Sequence, residues 1–167
     1  YSGRLGIALF LAALAGVESD RRTSIYRRAA IAACADLARM LELTDASSDK
    51  RMWWRDQPLG LAGSGGQLLA AVLLRKLVPG MQRVVDNGLS ELLGALDPEI
   101  ISTDNDLDII FGCAGLIGPL LRIGTTKAID LARIAGNRLV ERQDDDGGWI
   151  VPTLGKKALT GFSHGAS

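Results

Sequence analysis

Neither sign of charge is in surplus in this sequence. The 167 residues include 19 Lys and Arg against 19 Asp and Glu, so the formal net charge is zero. A protein that binds nucleic acid needs an excess of basic residues on some face to neutralise phosphates. We therefore expect no nucleic acid among the partners of this chain.

Cysteine and histidine are also scarce. The two cysteines, Cys34 and Cys113, provide no disulfide framework, which favours a reducing compartment and predicts a cytoplasmic location. With the single histidine, His164, they barely suffice for the three or four protein ligands of a zinc site. The uncharged run 5–17 stops short of the roughly 20 residues that span a bilayer, so we expect no transmembrane segment.

Glycine and aliphatic residues, by contrast, are abundant. There are 20 glycines, hydrophobic residues make up 47% of the chain, and aromatic residues only 5%. This composition favours closely packed helices over a β-sandwich. Apolar periodicity predicts helices over 7–14, 24–43, 66–77, 81–96, part of 107–123, and 126–142, the last capped by Thr125 or Thr126.

The predicted helices are of two alternating kinds. The first, third and fifth are apolar nearly all round, which predicts burial, whereas the second, fourth and sixth carry charges on one face. Each apolar helix begins at a G-x-x-G turn, and the turns start at Gly3, Gly63 and Gly112, with a further start at Gly165. A repeat of roughly fifty residues, one helical hairpin each, is typical of a repeat architecture. The sequence thus predicts an all-α fold of inner and outer helices.

One aspartate in the acidic segment 104–108 stands out. Asp104, Asp106 and Asp108 have the spacing of a calcium loop, but Ile109 and Gly115 occupy the positions where that loop needs Gly and Glu. Calcium is therefore excluded, and Thr103 or Asp104 is expected to cap the following helix. Asp108 precedes an apolar run and is expected to point inward.

His164 is the other candidate site residue. A single histidine is more often a hydrogen-bonded structural residue than an acid or a base. It lies, however, in a glycine-flanked turn at the start of the fourth repeat. The repeat would place that turn at the same end of the fold as the other glycine turns. Cys113 lies in such a turn too, but we interpret it as a small buried hydrophobic residue, like Cys34.

Three segments resemble one known family. They are YSGRLGIALFL at 1–11, DIIFGCAG at 108–115 and LTGFSHGAS at 159–167, and they resemble the C-terminal cyclase domain of class II lanthipeptide synthetases, the LanM type. The resemblance covers the whole chain in register and implies an α/α toroid. About three helical hairpins of that toroid fit in this sequence, so an incomplete ring with an exposed apolar edge is expected.

The resemblance also implies a reaction and its residues. A cysteine thiol of a precursor peptide adds to a dehydroalanine or dehydrobutyrine, which forms lanthionine or methyllanthionine. In the family a zinc ion binds the thiol and lowers its pKa. The histidine that matches His164 is the acid or base of the reaction, and the aspartate that matches Asp108 lies in the active site. Neither Cys34 nor Cys113 matches a zinc ligand of the family, whose ligands lie in later motifs.

The resemblance also implies which part of the family's domain this chain represents. We expect residues 1–167 to be a fragment of a single cyclase domain, truncated at both ends, with the dehydratase domain before Tyr1 and the zinc ligands after Ser167. Such a fragment alone is expected to hold no zinc and to be inactive. Two alternatives stay open: a LanC-like protein that binds or regulates without cyclising, and another α/α-toroid enzyme such as a glycosidase or terpene cyclase. The latter need paired carboxylates or an aspartate-rich motif, and only Asp108 is a convincing inward acid.

Overall fold

All regular secondary structure in the described part of the chain is helical. A computed structural model describes residues 4–17, 22–43 and 57–152, with 155, 157, 158 and 161. Within these residues there is no β-strand, and the all-α prediction is confirmed. The seven helices found there are α1 Arg4–Val17, α2 Arg22–Leu43, α3 Ser64–Leu77, α4 Gln82–Ala95, α5 Pro98–Ser102, α6 Ala114–Ile123 and α7 Thr126–Arg142.

Short polar signals set the ends of the later helices. The Thr125 hydroxyl accepts from the amide of Ala128 at 3.3 Å and caps α7, as predicted. Gly124, at a φ of 71°, ends α6 in the left-handed conformation that glycine adopts easily. Only these two residues separate α6 from α7. They therefore form the tight connection of a helical hairpin.

The short helix α5 is not among the helices that the sequence predicts. Its N-cap is Asp97, whose side chain accepts from the amide of Glu99 at 2.9 Å, and Pro98 occupies its first turn. Thr103 is its C-cap, and the Thr103 hydroxyl donates to the carbonyl of Glu99 at 2.8 Å. The prediction that Thr103 caps the next helix is therefore wrong.

The chain divides into two compact units. The first comprises Tyr1–Met52 and Gln67–Ala95. Within it α1 packs on α2, and α2 packs on α4. The contact faces of α1 and α2 bury small side chains, which let helices approach closely; these are Ala8, Ala12, Ala15, Ala30 and Cys34.

One face of α1 is apolar and exposed. The side chains of Ile7, Phe10 and Val17 are 57%, 64% and 81% exposed, and their spacing places them on one side of the helix. This helix is therefore not buried all round.

The second unit comprises Trp53–Gly66 and Leu96–Ser167. Within it α6 and α5 both pack on α7. The Trp149 indole, beyond α7, donates to the carbonyl of Leu139 at 2.7 Å. The core of this unit contains Ile101, Leu107, Cys113, Leu116, Leu120, Ala128, Leu131 and Ala135. Asp108, the candidate site residue that the structure describes, lies in this unit.

Candidate active site

Two of the predicted glycine turns lie side by side in the second unit. The amides of Gly60, Leu61 and Ala62 donate to the carbonyls of Phe111, Ile109 and Ile110 at 3.0, 2.8 and 2.8 Å. The first of these stretches of backbone leads into α3 and the other leads into α6. The starts of two apolar helices are thus joined by backbone hydrogen bonds, as the repeat predicts for these two turns.

Glycine is required where these two turns touch. A Cβ atom on Gly60 would lie 2.5 Å from the carbonyl carbon and oxygen of Ile110. A Cβ atom on Gly115 would collide with the carbonyl oxygen of Ile109 and lie 2.6 Å from the Cα atom of Gly60. Backbone atoms cannot move aside as a flexible side chain can. The glycines therefore permit the close contact that brings the two helix starts together.

Asp108 lies in this joined region and is buried, as predicted. Asp108 is 6% exposed, and its Oδ1 atom accepts from the amides of Phe111 and Gly112 at 2.6 and 3.3 Å. These two amides belong to the turn that leads into α6, where backbone N–H groups have no helical partner. The bonds hold the Asp108 carboxylate in one orientation within the turn.

Asp104 makes contacts in this region that the sequence does not predict. Its Oδ2 atom accepts from the amides of Leu107 and Cys113 at 3.0 and 2.8 Å. Cys113 is the N-cap residue of α6, so the expectation that Thr103 or Asp104 caps this helix is wrong, although the Asp104 carboxylate accepts from the amide of that N-cap residue. The additional bond to Leu107 means that one carboxylate oxygen holds both ends of the segment 107–113. The apolar periodicity of the sequence does not predict these bonds to Asp104.

Arg138 fastens the same loop to α7. Its Nε atom donates to the carbonyl of Asp104 at 2.7 Å, and its Nη2 atom donates to Oδ1 of Asn105 at 3.1 Å. Both partners lie more than thirty positions earlier in the chain. The guanidinium group therefore ties the start of the loop to the helix that packs on α6.

The described cysteines do not suit a metal site. Burial raises the pKa of the Cys113 thiol, the negative charge of Asp104 raises it further, and the residue is fully buried. Burial also raises the pKa of Cys34. A zinc ligand must be a thiolate, which both environments disfavour. Nor do three His, Cys, Asp or Glu side chains cluster suitably for a metal in the described ranges. The described residues thus do not fit the zinc that the resemblance implies.

His164, the other predicted site residue, lies outside the described residues. His164 falls in the segment 162–167, so the prediction that its turn lies at the same end of the fold as the other glycine turns stays a prediction. Of the two predicted site residues, the structure therefore gives the surroundings of Asp108. Those surroundings are a buried, rigid turn at the start of an apolar helix.

Comparisons with known proteins give one match. A family model described as lanthionine synthetase C-like protein matches residues 1–167. Comparison with curated proteins gave no match, and comparison with solved structures gave none. No helix within the described ranges has both the length and the apolar character needed to cross a membrane.

Proposed function

This chain belongs to the family of lanthionine synthetase C-like proteins, and we propose that it is the cyclase part of a class II, LanM-type lanthipeptide synthetase. The family is associated with lanthionine synthetase activity and acts on peptide substrates. Membership gives no support to the glycosidase and terpene-cyclase alternatives. The class II assignment is supported by the sequence segments at 1–11, 108–115 and 159–167.

The proposed reaction is an intramolecular Michael addition in a dehydrated precursor peptide. The sulfur of a cysteine thiolate attacks the β-carbon of dehydroalanine or dehydrobutyrine and forms the C–S bond. The π electrons of the C=C bond move toward the adjacent carbonyl, which gives an enolate. The α-carbon of that enolate then takes a proton, and the thioether ring is complete. The thiol proton lost and the α-carbon proton gained balance.

Two residues of this chain are proposed to handle these protons. His164 would exchange the proton, since imidazole, with a reference pKa of about 6.5, can hold either protonation state near neutral pH. Asp108 would orient the imidazole and stabilise its protonated form. The observation that carries this proposal is the buried Asp108 carboxylate, fixed by the amides of Phe111 and Gly112 at the start of α6. A carboxylate held in this way is suited to orienting a neighbouring side chain.

The described residues of the chain do not supply a zinc site, so these proposed roles involve no metal step. The cofactor expected from the family is zinc. Its ligands are proposed to lie in motifs that follow Ser167. In the naturally expressed protein the metal would supply thiolate activation, while the residues of this chain would position groups and move protons.

The function can be tested with a defined synthetic peptide. The peptide carries one cysteine and one dehydroalanine a few residues apart, behind a leader segment of the natural precursor. Ring formation leaves the mass unchanged but removes the free thiol, so alkylation followed by mass spectrometry counts the unreacted peptide. The naturally expressed protein should consume the thiol faster than the uncatalysed reaction does.

The same experiment separates cyclisation from binding alone. Binding of the peptide without faster loss of the thiol would favour a LanC-like protein that binds or regulates. Thiol loss at the uncatalysed rate, with no binding, would contradict a peptide-cyclising function. A protein boiled before mixing provides the control for the uncatalysed rate.

A further inference from the structure

A single carboxylate oxygen holds both ends of the segment that carries Asp108. Oδ2 of Asp104 accepts from the amide of Leu107, directly before Asp108, at 3.0 Å. It also accepts from the amide of Cys113, at the start of α6, at 2.8 Å. Hydrogen bonds to an ionised carboxylate are stronger than bonds between neutral groups. The position of Asp108 is therefore constrained from both directions along the chain.

The backbone is strained at Leu107, the residue whose amide donates the first of these two bonds. This residue has a φ of 58°, in the left-handed region that side chains other than glycine rarely adopt. Its side chain is nevertheless 2% exposed, and so the core holds it in place. The bond from its amide to Asp104 stabilises the unusual conformation. Because Leu107 directly precedes Asp108, that conformation sets the direction in which the Asp108 side chain leaves the backbone.

The other side of Asp104 is anchored as well. Its carbonyl accepts from Nε of Arg138 on α7 at 2.7 Å, and Arg138 reaches the neighbouring Asn105 side chain at 3.1 Å. The residue is thus joined through its carboxylate to the Asp108 turn and through its carbonyl to a helix of the core. Asp104 therefore fixes the Asp108 turn relative to helix α7.

We infer that Asp104 is a positioning residue for the reaction, acting through Asp108. The inference rests on the proposed function, since it assumes that Asp108 serves ring formation. Asp104 itself touches no reacting atom. Its role is to keep the Asp108 carboxylate within the narrow range of positions in which it can orient the acid or base. A displacement of about 1 Å at such a group can lower a rate by about 10²-fold.

Two substitutions of Asp104 separate positioning from charge. Asp104→Ala removes every acceptor, whereas Asp104→Asn keeps one oxygen that can accept from the amides of Leu107 and Cys113. Asp130→Ala is the matched control, because it removes an aspartate that pairs on the surface of α7 with Arg133 at 2.8 Å. Each variant is made in the naturally expressed protein and tested with the cysteine–dehydroalanine peptide.

Asp104→Ala should lower kcat by about 10²-fold with a much smaller change in KM. Asp104→Asn should recover most of the lost kcat, and Asp130→Ala should match the wild type. Unchanged kcat in Asp104→Ala would overturn the inference. So would an equal loss of kcat in Asp104→Ala and Asp104→Asn, since the oxygen acceptor would then not matter.

A second readout does not depend on activity. Native protein is treated with a thiol reagent, and the alkylation of Cys113 and Cys34 is followed by peptide mapping. Since removal of the Asp104 charge alone lowers the pKa of the Cys113 thiol, the comparison is with Asp104→Asn, which removes the same charge. A loosened turn should make alkylation of Cys113 faster in Asp104→Ala than in Asp104→Asn and leave Cys34, in α2, unchanged. Equal acceleration at both cysteines would indicate general unfolding and contradict a local role. If the wild type forms no ring, the proposed function fails, and this alkylation pattern alone decides whether Asp104 holds the turn.

Discussion

The amide of Gly60 donates to the carbonyl oxygen of Phe111 at 3.0 Å, and this bond joins the backbone that leads into α3 to the backbone that leads into α6. Two further bonds, from Leu61 and Ala62, continue the contact. The candidate site is built on this junction because Asp108 and the amides that hold it belong to one of the two joined turns. Its geometry therefore depends on glycines that carry no chemistry themselves.

Replacing Gly60 by Ala should destabilise the protein. The added Cβ would lie 2.5 Å from backbone atoms of Ile110, so the two turns must separate. Overpacking of this kind costs about 1–3 kcal/mol. Gly136→Ala is the control, because a Cβ there meets nothing within 4 Å and helical alanine is favoured over glycine by about 0.5–1 kcal/mol. Urea unfolding should show opposite signs for the two variants, and equal stability of both would contradict the described junction.

The junction also shows how far the sequence predicts the fold. The sequence predicts helix α7 with the observed bounds, because Thr125 is a clear cap and the apolar periodicity is regular. The turns at Gly63 and Gly112 are predicted from their spacing alone. Contact between them can be inferred from the repeat, since only glycine allows backbones to approach so closely.

Other features are not accessible to periodicity. Helix α5 is only five residues long, although Asp97 followed by Pro98 and Glu99 is a recognisable helix start. Helix α6 begins at Ala114, within the predicted turn Gly112–Gly115, but periodicity does not show that the carboxylates of Asp104 and Asp108 hold the preceding segment as a turn. The bond from Cys113 to Asp104 spans nine residues. Such bonds depend on tertiary geometry, which a hydrophobic pattern does not encode.

The Cys113 thiol should make stability depend on pH in the alkaline range. Burial raises its pKa in the folded protein, so the unfolded chain releases this proton first. The contribution of the protonated Cys113 thiol to the free energy of unfolding is fully present below the ordinary thiol pKa of 9.0 and decreases as the pH rises above that value. The loss amounts to about 1.4 kcal/mol by pH 10.

Cys113→Ala provides the comparison for this effect. The difference in free energy of unfolding between the wild type and this variant should shrink by that amount from pH 7 to pH 10. Other titrating groups are common to both proteins and cancel in the difference. A difference that stays constant over this range would show that the thiol is not buried in the protonated form.

The exposed face of α1 should bind apolar dyes. Ile7, Phe10 and Val17 form a stripe on this helix, and contiguous exposed apolar surface promotes association. Phe10→Glu in the 167-residue chain should lower dye fluorescence and shift size-exclusion elution toward the monomer. Ala13→Glu adds the same charge at an exposed position without removing a large apolar group, and should do much less. Equal effects of the two changes would assign the association to charge.

Asp108→Asn should slow ring formation and shift its pH dependence. Asparagine keeps an oxygen that can accept from Phe111, so the turn should persist. The protonated form of His164 would lose a stabilising negative charge, and the alkaline side of the pH–rate profile should therefore move to lower pH. Asp146→Asn, at an exposed position after α7, is the charge-matched control. An unshifted profile would argue that Asp108 is structural.

The rate of ring formation by the His164→Ala protein is the decisive measurement for the proposed chemistry. The naturally expressed variant is given the cysteine–dehydroalanine peptide, and the remaining thiol is counted by alkylation and mass spectrometry, with circular dichroism to check the fold. Loss of an acid or base predicts a rate about 10²–10⁴-fold below that of the wild type. A folded His164→Ala protein that forms rings at the wild-type rate would reduce His164 to a structural histidine and contradict the proposed role.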